Sequence, residues 1–292
     1  MSSDFYHHPD SRILSVSGGE AADFLNDLLT SQIQRLELDT ARLACLLSPQ
    51  GRILFDMMVI RISAEKFYLI CDAEQLQPLL KKLKLYRLRR KIELNEETGW
   101  VIGHRLITED KTDVQDGLYR RDERHQALGW YCLLTAEQAA SVQMTDDQHW
   151  QELRIATGIP QGAQDLTPNR ALMLEAGLEH LGGIDFKKGC YVGQEVTART
   201  HYRGLVKRRI VPVRTTDAKL STGDAVFWEE KEVGRILSVA GNSYSALASI
   251  RLDALQDCLN PEPEQAAGHI SDSSGYRLEL SIPQWMHPLP FK

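Results

Sequence analysis

Leu43-Ala44-Cys45-Leu46-Leu47-Ser48-Pro49-Gln50-Gly51-Arg52-Ile53-Leu54-Phe55-Asp56-Met57-Met58-Val59 is the stretch that sets the fold class. An apolar run from Leu43 to Leu47 leads into a turn containing Pro49 and Gly51, after which Ile53, Phe55, Met57 and Val59 recur at every second position. Side chains alternate across a strand, so the pattern predicts two antiparallel strands joined by a short turn. On that alternation Asp56 points away from the Ile53, Phe55 and Met57 face, either into solvent or towards a ligand.

On the N-terminal side, Ile13 to Val16 reads as a strand and Gly18-Gly19 as a turn, and Phe24, Leu25, Leu28 and Leu29 mark a helix ending near Thr30. Downstream, Phe67 to Ile70 continues the sheet. Leu76, Leu79, Leu80 and Leu83 give a second amphipathic helix, and another strand begins over Lys91 to Leu94. Helices on a mainly antiparallel sheet make the class α+β. The Asp-rich stretch from Thr108 to Glu123 reads as an exposed loop, and core resumes at Trp130 to Leu134. A helix carrying Trp150, Leu153 and Ala156 stops before Gly158-Ile159-Pro160. Past Arg203-Gly204 the texture changes. Ile210 to Val213, Ala225 to Trp228, Val233 to Val239, Ser245 to Ile250 and Tyr276 to Ile282 are short strand-like segments separated by Gly, Asn, Asp and Pro, the pattern of a small barrel or sandwich. A boundary near residue 206 divides the chain into 1–205 and 206–292, with Asn260 to Gly268 an exposed loop of the second part.

Composition narrows the function classes. With 292 residues, 42% hydrophobic and 25% charged, the chain has the material for a sizeable core. Apolar runs such as Met57 to Ile60 are too short to span a membrane. Met1 to Arg12 has neither a signal core nor the Arg-rich character of an organelle presequence, which predicts a soluble, cytoplasmic protein. The cysteines, Cys45, Cys71, Cys132, Cys190 and Cys258, are scattered and form no Cys-x-x-Cys pair. This argues against a disulfide framework or a self-contained metal site and predicts that most are reduced and buried. A net charge of −6 argues against nonspecific nucleic-acid binding.

Chemistry concentrates in Lys187-Lys188-Gly189-Cys190-Tyr191-Val192-Gly193-Gln194-Glu195. An ammonium near the sulfur favours the thiolate, making Cys190 a nucleophile or soft metal ligand; the other reading is a buried inert thiol with solvated lysines. Gly189 and Gly193 permit a turn or close ligand approach, while Gln194 and Glu195 either bind polar ligand edges or cap a helix. Arg199, His201, Tyr202 and Arg203 add a cationic, aromatic stretch. Glu175 stands in the apolar segment Leu172 to Gly177. If buried, its carboxylate needs donors, and the adjacent N–H groups of a pterin or guanine ring supply a two-point pair; on a helix surface it needs none. The basic run from Lys81 to Lys91 carries leucines at helical spacing and reads as a solvated helix face leading into a strand, the alternative being a seat for an anionic ligand tail or an RNA backbone.

The octapeptide Lys188 to Glu195, running on into Thr197-Ala198-Arg199-Thr200-His201, resembles the signature of the YgfZ-type folate-binding proteins and their mitochondrial iron-sulfur assembly relatives. The likeness continues through Leu47 to Asp56, Arg154 to Pro160, Val233 to Ile236 and Ala246 to Ala248. The wider superfamily includes the glycine-cleavage T-protein, a tetrahydrofolate-dependent aminomethyltransferase. Leu174-Glu175-Ala176-Gly177 is similar to the T-protein segment whose glutamate holds the pterin. Gly51 to Asp56 resembles its Gly-Gly-Ile-Leu-Asp-Asp stretch, with Phe55 in place of the first aspartate and Asp56 keeping the second.

The resemblance implies a T-protein-like folate-binding domain followed by a small C-terminal β-barrel. It implies tetrahydrofolate as cofactor, contacted by Glu175, Asp56, Gln194, Glu195 and Arg199. It also implies an accessory role in assembly or repair of [4Fe-4S] clusters, with Cys190 the reacting thiol or transient cluster ligand and Lys188 its tuner. The implied partners are iron-sulfur client enzymes and cluster-assembly carriers, with neither membrane nor nucleic acid among them. The T-protein has an acidic residue where Cys190 stands and Arg-Asp where this chain has Asn169-Arg170, departures that weigh against plain aminomethyl transfer. A folate-dependent one-carbon (aminomethyl or methyl) transferase or demethylase is the alternative. Such clusters take four cysteine ligands, so a cluster on Cys190 is one shared with another protein or a second subunit.

Overall fold

In the computed structural model, which describes residues 5–106, 117–259 and 269–291, the hairpin lies at the heart of a ten-stranded sheet. The strands are β1 (Phe5–His7), β2 (Ser11–Ser17), β3 (Thr40–Leu47), β4 (Ile53–Ser63), β5 (Lys66–Asp72), β6 (Glu93–Glu97), β7 (Trp100–Arg105), β8 (Leu118–Asp122), β9 (Trp130–Thr135) and β10 (Met144–Thr145). Their order is β10-β1-β7-β9-β8-β3-β4-β5-β2-β6, antiparallel throughout except at β1 with β10 and β3 with β8. Six further strands, β11 (Arg208–Arg214), β12 (Ala225–Trp228), β13 (Lys231–Val239), β14 (Ser245–Arg251), β15 (Ile270–Ser271) and β16 (Arg277–Leu280), close into a barrel. The helices are α1 (Ala21–Leu28), α2 (Ala73–Arg87), α3 (Ala136–Ala140), α4 (Gln148–Ala156), α5 (Gly162–Asp165), α6 (Gln194–Tyr202) and α7 (Leu252–Leu259). The α+β class with a terminal β-barrel holds. Among the described residues no helix is long and apolar enough to cross a membrane.

Both faces of the hairpin are covered. Leu46, Met57 and Val59 pack with Phe24 and Leu25 of α1 and with Leu76, Leu79 and Leu83 of α2. On the other face Leu43, Cys45, Met58 and Ile60 pack with Trp150 and Ile155 of α4 and with Met173, Leu178 and Leu181 of the irregular chain that follows. Burial on two sides explains why Leu43 to Leu47 is continuously apolar rather than alternating.

The alternation read over β4 is broken by a bulge. Leu46 pairs with Phe55 but Leu47 pairs with Ile53, leaving Leu54 as an extra residue. Ile53 therefore faces the side of Met58, opposite Phe55 and Met57. Asp56 shares that side and is buried, only 6% exposed, rather than solvated.

The expected loop from Thr108 to Glu123 contains β8, which joins the two halves of the sheet through a short parallel pairing of Thr40 and Ala41 with Arg121 and Asp122. Its sequence, Leu-Tyr-Arg-Arg-Asp, hides the strand because three of five residues are charged, Asp122 being buried against Arg124 while Arg121 remains exposed. Residues 108–116 and the expected loop Asn260 to Gly268 lie outside the described residues.

α4 ties the sheet to the barrel. Arg154, nearly buried, donates to Asp165 and to the Ile159 carbonyl, each at 2.7 Å, and reaches Ser238 of β13 at 3.5 Å. From the C-terminal segment Trp285 Nε1 donates to the Thr157 carbonyl at 2.8 Å, and Arg209 of β11 donates to the Leu174 carbonyl at 2.7 Å.

The hairpin turn is seated against α6. Gly193, at the N-cap of α6, has φ +83°, and a Cβ there would lie 2.5 Å from the Ser48 carbonyl oxygen and 3.2 Å from Gly51 Cα. Gly51, with φ +76°, leaves just enough room for Thr197 Oγ1, 3.1 Å from where its Cβ would be. Gly193→Ala is expected to lower the unfolding free energy by about 2–3 kcal/mol in urea titrations, since it adds both backbone strain and a backbone clash. Gly189→Ala, where a Cβ meets open space, should change it by less than about 0.5 kcal/mol.

Candidate functional site

Residues 182–193 are irregular chain held to the end of α1 by polar contacts. Thr30 Oγ1 donates to the Gly183 carbonyl at 2.6 Å, Ser31 Oγ reaches the Gly182 carbonyl at 3.1 Å, and Asp185 N donates to the Thr30 carbonyl at 3.0 Å. Lys188 is the deepest anchor, 6% exposed. Its ammonium donates to the carbonyls of Asn26 at 2.5 Å, of Leu29, and of Ser31 at 3.1 Å. An ammonium has three N–H donors, and all three are used. The Asn26 and Leu29 carbonyls belong to the end of α1, where unpaired carbonyls and the negative end of the helix dipole favour a cation. Burial pulls the pKa of Lys188 down to about 8, which leaves the group mostly protonated at neutral pH. Its charge is thus placed on the α1 terminus.

Cys190, two residues on, is exposed, unlike the buried inert thiol that was one reading of it. Cys45, Cys71 and Cys132 are buried and Cys258 is half-buried, as expected for most of the five. Burial pushes the Cys71 thiol up to about 12, and those of Cys45 and Cys132 rise for the same reason. Only Cys190 is both exposed and set in the octapeptide.

α6 carries the rest of the motif. Gln194 is half-buried, Glu195 and Arg199 are exposed one turn apart, and Thr197 is buried with its hydroxyl donating to the Gly193 carbonyl at 3.0 Å. Phe186 stacks on His201 with ring centroids 4.2 Å apart, folding the aromatic stretch back onto the start of the motif, while Tyr202 is 74% exposed. On the far side of the Gly51 contact, Arg52 bridges to Leu172 and donates to the Arg170 carbonyl at 3.0 Å.

That bridge leads to Glu175, which stands half-buried in a run of turns rather than on a helix. Burial raises its pKa, opposed by Arg208, by an N–H from the Lys207 backbone, and by Lys207 and Arg52. It lines a cleft of about 580 Å³ with Lys207, Arg208, Arg251, Gln256 and Phe291. The turn from Ser48 to Arg52 therefore touches both the α6 end of the thiol motif and the Glu175 segment.

Asp56 lies elsewhere. Its Oδ2 accepts from Gly162 N at 2.9 Å and its Oδ1 from Gln75 Nε2 at 3.4 Å, and burial raises its pKa. It lines a small internal cavity of about 20 Å³ with Asp72, Arg124 and Gln161, whereas Glu175 faces the separate cleft. Asp72 is pushed up to about 6 by burial and then by the neighbouring Asp56.

Beyond it runs a buried polar chain that the sequence reading missed. Arg124 grips Asp122 through Nη2 at 2.7 Å and Nε at 3.0 Å and donates to Gln161 Oε1 at 2.6 Å. His104 sits 3.3 Å from Asp122 and 2.7 Å from His8. Burial lowers His104 to about 3, so it is neutral, while Asp122, which burial alone would raise, is held well below the usual carboxylate range by Arg124. Positions 8, 104, 122, 124 and 161 share no spacing that a motif search could read. Among the described residues no group of three or more His, Cys, Asp or Glu side chains is arranged to hold a metal ion.

Two outcomes follow from these placements. Lys188→Met leaves three buried carbonyls without a donor and should cost about 2–4 kcal/mol of unfolding free energy, with the rate of Cys190 towards a disulfide reagent unchanged per folded molecule. Asp72, raised from 3.8 to about 6 in the folded chain, holds a proton there that the unfolded chain has already lost, so its contribution to stability falls as pH rises through that window. Urea titrations of Asp72→Asn should accordingly show its stability gain over the parent chain growing between about pH 4 and 6 and level above.

Residues 11–101 match the model of the GCVT N-terminal domain, and residues 207–288 match that of the CAF17 C-terminal beta-barrel domain. The chain is 31% identical to the human mitochondrial iron-sulfur cluster assembly factor IBA57, over 94% of this chain and 82% of that one. It is 32% identical to the mitochondrial IBA57 homologue of Coccidioides immitis, over 94% and 81%. Its fold is similar to the glycine cleavage system aminomethyltransferase T of Bartonella henselae, with a TM-score of 0.74 at 16% identity, covering 100% of this chain and 86% of the other. The mitochondrial designation of these relatives overturns the cytoplasmic address expected above, which rested only on signals not found in Met1 to Arg12. With a T-protein-like sheet, a CAF17-type barrel and near full-length similarity at this identity, the chain belongs to the family of the iron-sulfur cluster assembly factor IBA57.

Proposed function

We propose that this chain is a tetrahydrofolate-binding accessory factor of the YgfZ type, working in assembly or repair of [4Fe-4S] clusters in client enzymes through the single thiol of Cys190. The observation that carries the reading is the exposure of Cys190 on a segment otherwise fastened by Lys188, next to the turn that leads to the Glu175 cleft. The cluster is cargo: one thiol supplies one ligand, and the remaining three come from the carrier or client that meets it.

The cleft suits a folate. Its volume of about 580 Å³ falls in the ordinary range for a small-molecule site. Glu175 is partly desolvated with capacity to accept the paired N–H groups of a pterin, and Lys207 and Arg208 offer cations to the carboxylates of the glutamate tail, while Arg251 of the same lining is paired with Asp253. Bound there, tetrahydrofolate supplies its one-carbon carrier chemistry. Residues 1–205 form the T-protein-like unit, which brings Glu175 to the cleft, and 206–292 the barrel unit, which supplies the rest of its lining. Gln194, Glu195 and Arg199 stand on the helix of the thiol motif and meet the ligand's outer end or the client. Asp56, bonded to Gly162 and Gln75, lines a cavity separate from the Glu175 cleft, so a folate contact through it calls for a part of the ligand beyond that cleft.

Tetrahydrofolate titrations followed by tryptophan fluorescence should show affinity at least about tenfold weaker for Glu175→Ala, the loss of a charged two-point contact, and unchanged for Cys190→Ala. Anaerobic cluster transfer to an apo-client, read by visible absorbance, should fail for Cys190→Ala. Unaltered folate affinity in Glu175→Ala overturns the placement of the pterin, and normal transfer by Cys190→Ala overturns the role of the thiol.

A further inference from the structure

The basic run noted in the sequence has no part in the folate cleft or the thiol motif. Between Lys81 and Lys91 the chain carries seven Lys or Arg side chains and no acid, on a protein whose net charge is −6. α2 buries Gln75, Leu76, Leu79 and Leu83 against the sheet, which fixes its outward face. Lys81, Lys84, Leu85 and Leu88 fall at helical spacing on that outward side, and the two leucines are 65% and 84% exposed.

Part of the charge has an internal explanation. Lys84 and Arg87 lie in the last turn, where cations complement the helix dipole, and Arg90 pairs with Asp27 at 2.5 Å. Lys81, Arg89 and Lys91 lie outside that turn and make no ion pair among the described residues. The leucines have no internal explanation. Leu88 ends α2 at φ +49° and ψ −115°, a position where helices ordinarily place Gly or Asn, and it does so with its side chain in solvent. A branched side chain held in a strained backbone and exposed to water is a double cost with no partner in the fold.

We infer that the outward face of α2, from Lys81 to Leu88 with Arg89 and Lys91 beside it, docks an acidic protein segment that buries Leu85 and Leu88. Charge complementarity chooses the partner's sign, and the leucines choose its kind. Phosphate backbones gain nothing from exposed aliphatic side chains, so RNA leaves Leu85 and Leu88 unexplained. A lipid surface needs a whole apolar helix face, and that of α2 is already spent on the sheet. An acidic helix with leucines one turn apart satisfies both the cations and the apolar pair.

The test uses the full-length protein and fluorescence anisotropy with a labelled acidic helical peptide bearing two leucines one turn apart. Its companion is a peptide of equal charge with serines at those positions. The leucine peptide should bind at least about tenfold tighter than the serine peptide, consistent with burial of aliphatic surface. Leu85→Ser with Leu88→Ser should erase that difference, and Lys84→Glu with Arg89→Glu should weaken both peptides and flatten their salt dependence. All four positions are exposed, so circular dichroism should report unchanged folding. Equal affinity for the two peptides, no binding, or tighter binding of single-stranded RNA or of vesicles containing phosphatidylserine overturns the inference.

Discussion

The Lys188 ammonium, set against the carbonyls of Asn26, Leu29 and Ser31, is the contact on which the rest of the site depends. Charge-assisted hydrogen bonds are stronger than neutral ones, and here they close the open end of α1 with a side chain from far along the sequence. Once Lys188 is sunk, the chain on either side has little freedom. Asp185 and Gly183 are tied to Thr30, Tyr191 is buried, and Gly193 meets the turn at Ser48. Gly189 and Cys190, between the two buried side chains, are pushed outwards. The exposure of the thiol thus follows from the burial of Lys188 and Tyr191 on either side of it.

Much of this could be read from residue patterns, for identifiable reasons. The hairpin was legible because its turn carries Pro49 and Gly51 and its strands are apolar, and the barrel because its short segments are punctuated by turn residues. The thiol motif was legible as a constellation, though the direction of each side chain was not. Two residues apart, Lys188 and Cys190 invite an electrostatic reading, and the sequence does not reveal the three distant carbonyls that the ammonium meets. Asp56 lies opposite Phe55 and Met57, as the alternation implies, but the extra residue Leu54 carries Ile53 round to its side, and the pattern could not show that this side is buried. β8 reads as loop because three of its five residues are charged, and nothing local shows that Asp122 is buried against Arg124.

The chain of Arg124, Asp122, His104 and His8 shows the same limit from the other side. Each residue alone would be costly to bury, and local sequence supplies no partner for any of them except Asp122 and Arg124. Long-range pairing makes them compatible: β8 brings Asp122 beneath β3, β7 brings His104, and β1 brings His8. Arg124 then reaches Gln161, whose neighbour Gly162 donates to Asp56. The carboxylate that resembles a T-protein catalytic position is therefore the end of a structural network. Its raised pKa follows from burial, without any need for a reacting partner.

The arrangement separates a fixed cleft from an exposed sulfur. Glu175 is held by backbone on both sides, through the Arg52 bridge and the bond from Ile210 N to its own carbonyl, so the cleft is preformed between the Glu175 turns and the barrel. Cys190 has no such support beyond its anchors at Lys188 and Gly193. The Lys188 ammonium is engaged by three backbone carbonyls, and a single sulfur cannot by itself complete a cluster. An exposed sulfur on an anchored segment, set apart from a cleft fixed by backbone bonds, leaves the thiol open to approach by another molecule while the cleft keeps its shape.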